Sequence, residues 1–81
     1  MINAELKKIT WLDSSTHSGW HDPDEQNYGA LKVTSVGFLV AESEAAITLA
    51  GSIVFGDDYQ VTDTMTIPKV CILSQKTLAK R

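Results

Sequence analysis

The sequence predicts a mainly β domain, a small five-stranded SH3-like or Sm-like barrel with one short helical turn inserted between the first two strands. Three observations predict it. Apolar residues recur at every second position in several separate runs, the period of a half-buried strand. Turn-forming residues separate these runs at short intervals. No stretch carries apolar residues at helical spacing for long enough to lay a helix across a sheet, which excludes a layered α/β fold.

The central run spans Leu31 to Gly51. Leu31, Val33 and Ser35 share one parity and Val36, Phe38 and Val40 the other, so a bulge or sharp bend is expected at Ser35-Val36-Gly37. Gly37 tolerates such a bend at least steric cost. After the short polar stretch Ala41–Ala45, the residues Ile47, Leu49 and, past Gly51, Ile53 resume the alternation. The two runs are expected to pair as an antiparallel hairpin within a closed, strongly bent sheet.

The remaining elements follow in order. Leu6–Trp11 reads as the first strand, with Ile9 and Trp11 on the inner face. Asp13 to Gly19 is a polar loop rich in hydroxyls, which favour turns. Asp22-Pro23-Asp24-Glu25 combines an N-cap, a proline suited to the first helical position and an acid at the capping-box position. A turn or two of helix is expected from Pro23 to Tyr28, stopped by Gly29, with Tyr28 pointing inward to plug the sheet. Gly56-Asp57-Asp58 is a turn. Val61, Met65 and Ile67 share a strand face opposite Thr62, Thr64 and Thr66, and Pro68 ends that strand. Ile67-Pro68-Lys69-Val70 suggests a tight, 3₁₀-like connection to a last strand, in which Val70 and Ile72 face one way and Cys71 and Leu73 the other.

Size and charge narrow the function classes. A chain of 81 residues is one domain, residues 1–81, close to the size at which a single core barely suffices. The apolar fraction of 43% is that of an ordinary globular protein, so disorder is not expected. The single cysteine, Cys71, cannot form an internal disulfide and lies in an apolar run, which points to a buried, reduced thiol. The amino terminus carries no apolar stretch of signal-peptide or membrane-span length, so a cytoplasmic location is expected and no membrane partner. A net charge of −3 argues against a broad nucleic-acid surface. Small domains without disulfide or metal gain stability by self-association, so a homo-oligomer is expected.

An ordered series of motifs runs through the chain: Trp11-x-Asp13-Ser14, Gly19-Trp20, Ser35-Val36-Gly37-Phe38-Leu39-Val40, Ile47-x-Leu49-Ala50 and Met65-Thr66-Ile67-Pro68-Lys69. The series, which covers Trp11 to about Ile72, resembles a group of small uncharacterised β proteins encoded by bacteriophages and prophages. The resemblance implies a phage origin, a compact β fold and residence in the cytoplasm of an infected bacterial host. It carries over no catalytic or binding residues. Small phage proteins of this size act as inhibitors, as sponges for host signal nucleotides or as adaptors, and that too is only an implication of the likeness.

Candidate chemistry concentrates in one loop. His17 and His21 stand four apart, a spacing that on a helix would suit a metal, but Gly19 intervenes and the helix signal starts only at Asp22. No metal and no cofactor is expected. Asp13, Ser14, Ser15 and His17 supply the residue types of a catalytic triad, yet neighbours on one loop rarely converge and no glycine-flanked serine signature is present. The chain is therefore not expected to be an enzyme. Trp20, between Gly19 and His21, is either core or a flat surface for stacking on a base or clamping a side chain. The expected contact surface comprises Asp13, Ser14, Ser15, His17, Trp20 and His21, with Lys69, just after a turn, available to meet a phosphate. The acids of 22–25 cap a helix or offer a patch to a basic partner. The resulting expectation is a binding protein that sequesters a small, nucleotide-type ligand or a host protein, and so counters host defence. The alternatives are an Sm-like nucleic-acid binder and a minor virion or assembly protein.

Overall fold

The computed structural model describes residues 5–15, 18–25 and 28–80. Its framework is one five-stranded antiparallel sheet: β1 (Leu6–Asp13), β2 (Leu31–Glu42), β3 (Ala46–Val54), β4 (Gln60–Pro68) and β5 (Ile72–Ala79). The spatial order is β4-β3-β2-β1-β5. A 3₁₀ turn at Pro23–Glu25 lies between β1 and β2, and a second at Lys69–Cys71 joins β4 to β5. Five strands and the inserted turn agree with the sequence. Closure does not: β4 and β5 are both edges, so the sheet is open rather than a completed barrel.

Strand β2 is shared between two neighbours. Its first part, Leu31 to Phe38, pairs with β1 from Asp13 back to Leu6. Its last part, Phe38 to Glu42, pairs with β3 from Ala50 back to Ile47. The hand-over therefore falls at Gly37-Phe38. A Cβ on Gly37 would lie 2.9 Å from the Ala50 carbonyl oxygen and 3.0 Å from Leu49 Cβ, so β3 crosses Gly37 at a distance only glycine allows.

The expected change of parity at Ser35-Val36-Gly37 does not occur. The β1–β2 register runs without a break, with Val33, Ser35, Gly37 and Leu39 on the inner side, while Val36 is 56% exposed. Ser35 faces inward because the Trp11 indole N–H donates to its Oγ at 3.0 Å, satisfying a polar group beside the core. The irregularity instead follows Leu39, where β2 holds one residue more than β3 before Ala41 pairs with Thr48.

The core is small. Ile9, Trp11, Ile47, Leu49 and Ile67 form it, and Val33, Leu39 and Ile72 pack against it. Ile9 and Trp11 share a face as the alternation in β1 requires, and Ile47 pairs directly with Ile67 across β3 and β4. Two inward assignments fail: Tyr28 is 53% exposed and Cys71 is only half-buried. Val70 and Cys71, expected in the last strand, belong instead to the second 3₁₀ turn, where Val70 is 95% exposed. The first turn is one 3₁₀ turn, Pro23–Glu25, rather than a helix to Tyr28; Gln26 and Asn27 lie outside the described residues.

Candidate functional site

The long connection from β1 to β2 holds most of the sequence-predicted contact residues. At its start Asp13 Oδ1 accepts the Ser14 backbone N–H at 2.8 Å, turning the chain out of β1. Ser15 Oγ donates to the Gly29 carbonyl at 3.3 Å, tying the outgoing limb to the returning one. Gly19 sits at φ +87°, in the left-handed region that glycine enters without strain, with open space around it. Beyond it, Asp22 Oδ1 accepts the Asp24 N–H at 3.0 Å and organises the 3₁₀ turn.

His21 braces this loop. Its Nδ1 lies 3.2 Å from the Gly19 carbonyl and its Nε2 2.8 Å from Tyr28 Oη. A carbonyl only accepts, so Nδ1 carries the proton, and in the neutral ring Nε2 accepts from the Tyr28 hydroxyl. The rings also pack, 5.9 Å apart and tilted by 45°. Both ring nitrogens are thus engaged within the loop. Neither serine is bonded to a base among the described residues: the Asp13 carboxylate takes a backbone N–H and the Ser15 hydroxyl gives to a carbonyl. His17 lies outside the described residues. Among the described residues no three His, Cys, Asp or Glu side chains converge on a common point.

Trp20 stands apart from this bracing. Its side chain is fully exposed, at 105% of the reference area, while Trp11 at 8% is part of the core. The core-or-surface alternative for Trp20 therefore resolves to surface. From Asp13 to Ala30 the chain holds Asp13, Asp22, Asp24 and Glu25 and not one lysine or arginine. The segment that carries the indole is thus acidic in sequence.

Lys69 does not join the loop. Its Nζ lies 2.8 Å from Glu42 Oε2, and its backbone N–H donates to the Ala45 carbonyl at 2.8 Å. These contacts fasten the second 3₁₀ turn to the β2–β3 turn, which Ser43 Oγ orders by accepting the N–H groups of Ala45 and Ala46. The Lys69 hydrogen bond and its charge hold the Glu42 carboxyl below its ordinary pKa, with Lys7 adding slightly. A carboxylate with a lowered folded-state pKa contributes stability fully above the unfolded-chain value, about 4.3 for glutamate, and loses it as pH falls through the lowered value. Urea unfolding from neutral into acid pH is therefore expected to show a shallower acid-side decline for Glu42→Gln than for the wild type. Parallel declines would mean that the pair adds nothing.

Two surface features had no clear sequence signal. Val70 protrudes from the second 3₁₀ turn. On the outer face, Lys8 of β1 lies opposite Lys76 of β5, and both line a shallow cavity of about 220 Å³ with Thr10, Ser74 and Gln75. Only the strand register brings those two lysines together, and they are sixty-eight positions apart in sequence. None of the sequence-predicted contact residues lines that cavity. Among the described residues no helix is long and apolar enough to cross a membrane. No protein-family model, curated protein or solved structure matches the chain.

Proposed function

We propose that this chain is a non-enzymatic binding module, of the SH3-like or Sm-like type, that sequesters a protein partner through the Trp20 loop. The full exposure of Trp20 on a loop braced by its own hydrogen bonds carries the reading. An unburied indole has no packing role to explain it, and tryptophan is among the residues that dominate protein interfaces once a partner buries them. Bracing by His21, Tyr28 and Ser15 lowers the ordering cost that a floppy loop would incur on binding. The SH3-like or Sm-like assignment draws support from the strand shared between two halves of the sheet and the 3₁₀ turn between the last two strands.

Charge selects between the two ligand classes expected from the sequence. Four carboxylates and no lysine or arginine between Asp13 and Ala30 repel an anionic nucleotide, and Lys69 is paired with Glu42. The same acids steer a basic protein surface toward the indole. The partner is a protein presenting cationic side chains around an apolar recess. A host protein captured by a phage-encoded inhibitor fits that description, as the motif series implies.

Co-purification of tagged wild type and Trp20→Ala from bacterial cells tests the reading. Trp20→Ala is expected to leave unfolding stability within about 0.5 kcal/mol, since the side chain packs against nothing. It is expected to lose the partner, whose association with the wild type weakens with added salt. Equal recovery of the same partner by both proteins would remove the loop from the interface. Calorimetry against cyclic nucleotides is expected to show no Trp20-dependent heat; such heat would restore the nucleotide ligand in place of the protein.

A further inference from the structure

We infer that the outer face of β2, β1 and β5 binds the phosphate backbone of a single nucleic-acid strand. Residues 6–12, 31–40 and 72–79 hold Lys7, Lys8, Lys32 and Lys76 and not one of the chain's ten acids. The net charge of −3 thus conceals a segregation, with the acids placed in loops, at strand ends and on β4. Strand alternation then sorts the lysines by face. Lys7 shares the side of Ile9 and Trp11, and its Nζ lies 3.7 Å from Glu5 Oε2. Lys8, Lys32 and Lys76 stand on the outer side and have no carboxylate partner among the described residues.

The register gathers these three into one stripe. Lys8 lies directly opposite Lys76, and Lys32 lies opposite Leu12, further along β1. Between the two levels a row of hydroxyls crosses the sheet, with Thr34 opposite Thr10 and Thr10 opposite Ser74. The Oγ1 atoms of Thr10 and Thr34 are 3.3 Å apart. Lys8, Thr10, Ser74 and Lys76 line the shallow cavity of the outer face. Exposed sheets ordinarily mix charges of both signs, because opposite charges facing each other across strands stabilise and like charges destabilise. The Lys8–Lys76 pair is therefore a cost to the folded chain. A lysine on an edge strand keeps edges of neighbouring molecules apart, which would account for Lys76 on β5. It does not account for Lys8, since β1 is paired on both sides. An anion seated between the two ammonium groups, with the Thr10 and Ser74 hydroxyls donating to it, removes the cost.

Span and composition choose the occupant. Lys32 and Lys76 lie roughly 17 Å apart, taking about 3.4 Å per residue along a strand and about 4.8 Å between strands. One phosphate group cannot meet both, but successive phosphates of one chain can. A duplex presents two rows of phosphates flanking a groove, whereas the three lysines form a single stripe. None of the outer positions at these levels is aromatic, so the face offers no ring for a base to stack on, and recognition stops at the phosphates. The face therefore takes a strand without regard to its base sequence. It is separate from the protein-binding reading, which rests on Trp20 in the β1–β2 connection.

Fluorescence anisotropy of a labelled oligothymidylate, titrated with the protein over a salt series, tests the inference. Binding is expected at low salt, with log K falling against log salt at a slope of about −2, that of three lysine–phosphate contacts on a single strand. Lys8→Gln combined with Lys76→Gln is expected to weaken binding about tenfold or more and to leave a slope of about −0.7. Lys32→Gln alone is expected to make the slope shallower by about 0.7. Lys69→Gln removes the same charge away from the face and is expected to bind like the wild type. An oligodeoxyadenylate of equal length is expected to bind comparably, and a duplex more weakly. Removing a like-charged pair relieves repulsion, so the double variant is expected to be at least as stable in urea as the wild type. If it folds poorly, the Lys32→Gln slope still decides. The inference is overturned by no binding at low salt, by unchanged binding in the double variant, by an equal loss in Lys69→Gln, or by preference for the duplex. Trp20→Ala is expected to bind the strand like the wild type, and the double lysine variant to keep the protein partner. Failure of this inference and failure of the Trp20 reading are thus separate results.

Discussion

Ile67→Ala is expected to lower unfolding stability by about 2–5 kcal/mol, the range for removing a buried isoleucine side chain down to its Cβ. Ile67 has no exposed surface and stands opposite Ile47, which is 1% exposed, in the β3–β4 ladder. Few side chains share that burial: among the described residues five make up the core cluster. In a larger domain neighbouring residues relax into part of the cavity, but here the surrounding positions belong to strands held by backbone pairing on both sides. A domain of this length has about 4–12 kcal/mol of stability in all. One methyl-rich side chain therefore holds a large share of it, and Ile67→Ala is expected to unfold at a much lower urea concentration than the wild type. Urea titration gives the measurement, with Val70→Ala as the companion, because Val70 is nearly fully exposed and is expected to change stability by less than about 0.5 kcal/mol. A loss below about 1 kcal/mol for Ile67→Ala would show that the cluster is not the core.

Alternation made that cluster legible. The pairs Ile9 with Trp11, Ile47 with Leu49 and Met65 with Ile67 each stand out at a spacing of two, and the structure puts the first two pairs and Ile67 inside. It also misled at one place. Ser35 looks like the polar end of a run, which predicts a change of parity at Ser35-Val36-Gly37. The indole N–H of Trp11 needs an acceptor beside the core, and Ser35 supplies it. A polar residue recruited by a distant donor breaks the apolar pattern without breaking the strand, and single-sequence periodicity has no means of telling the two apart. Closure of the sheet was not legible for a related reason. Pairing between the first and last edges depends on how far β2 and β3 curl, and that is set by contacts across the fold such as the approach of Ala50 to Gly37.

The loop fared differently. Trp20 was visible because a glycine and a histidine flank it in a stretch with no alternation to bury it, and it is exposed. The pairing of Lys69 with Glu42 was not legible, because Glu42 lies in another element and nothing local announces it.

Gly37→Val is expected to damage the fold where β2 passes from β1 to β3. Alanine alone would place its Cβ 2.9 Å from the Ala50 carbonyl oxygen and 3.0 Å from Leu49 Cβ. Neither neighbour is the free end of a flexible side chain: one is backbone, and the other is the root of a core residue that is 3% exposed. Relief requires β3 to move away, which stretches the Phe38–Ala50 pair and lifts Leu49 from the core. Overpacking of this kind costs about 1–3 kcal/mol for small additions, and valine adds two further methyl groups to the same gap. Opposing it, any residue other than glycine gains about 0.4–1 kcal/mol by restricting the unfolded chain. The steric loss is the larger, so Gly37→Ala is expected to be destabilised and Gly37→Val more so. Gly56 separates the two contributions, since a Cβ there meets nothing within 4 Å and its φ is not in the left-handed region. Gly56→Ala is therefore expected to be neutral or stabilised by about 0.4–1 kcal/mol. Thermal and urea unfolding of the three variants should rank them with Gly56→Ala first and Gly37→Val last. If Gly37→Ala matched Gly56→Ala, β3 would have to yield freely at this crossing. The sharp hand-over between the two halves of the sheet would then rest on something other than the missing side chain.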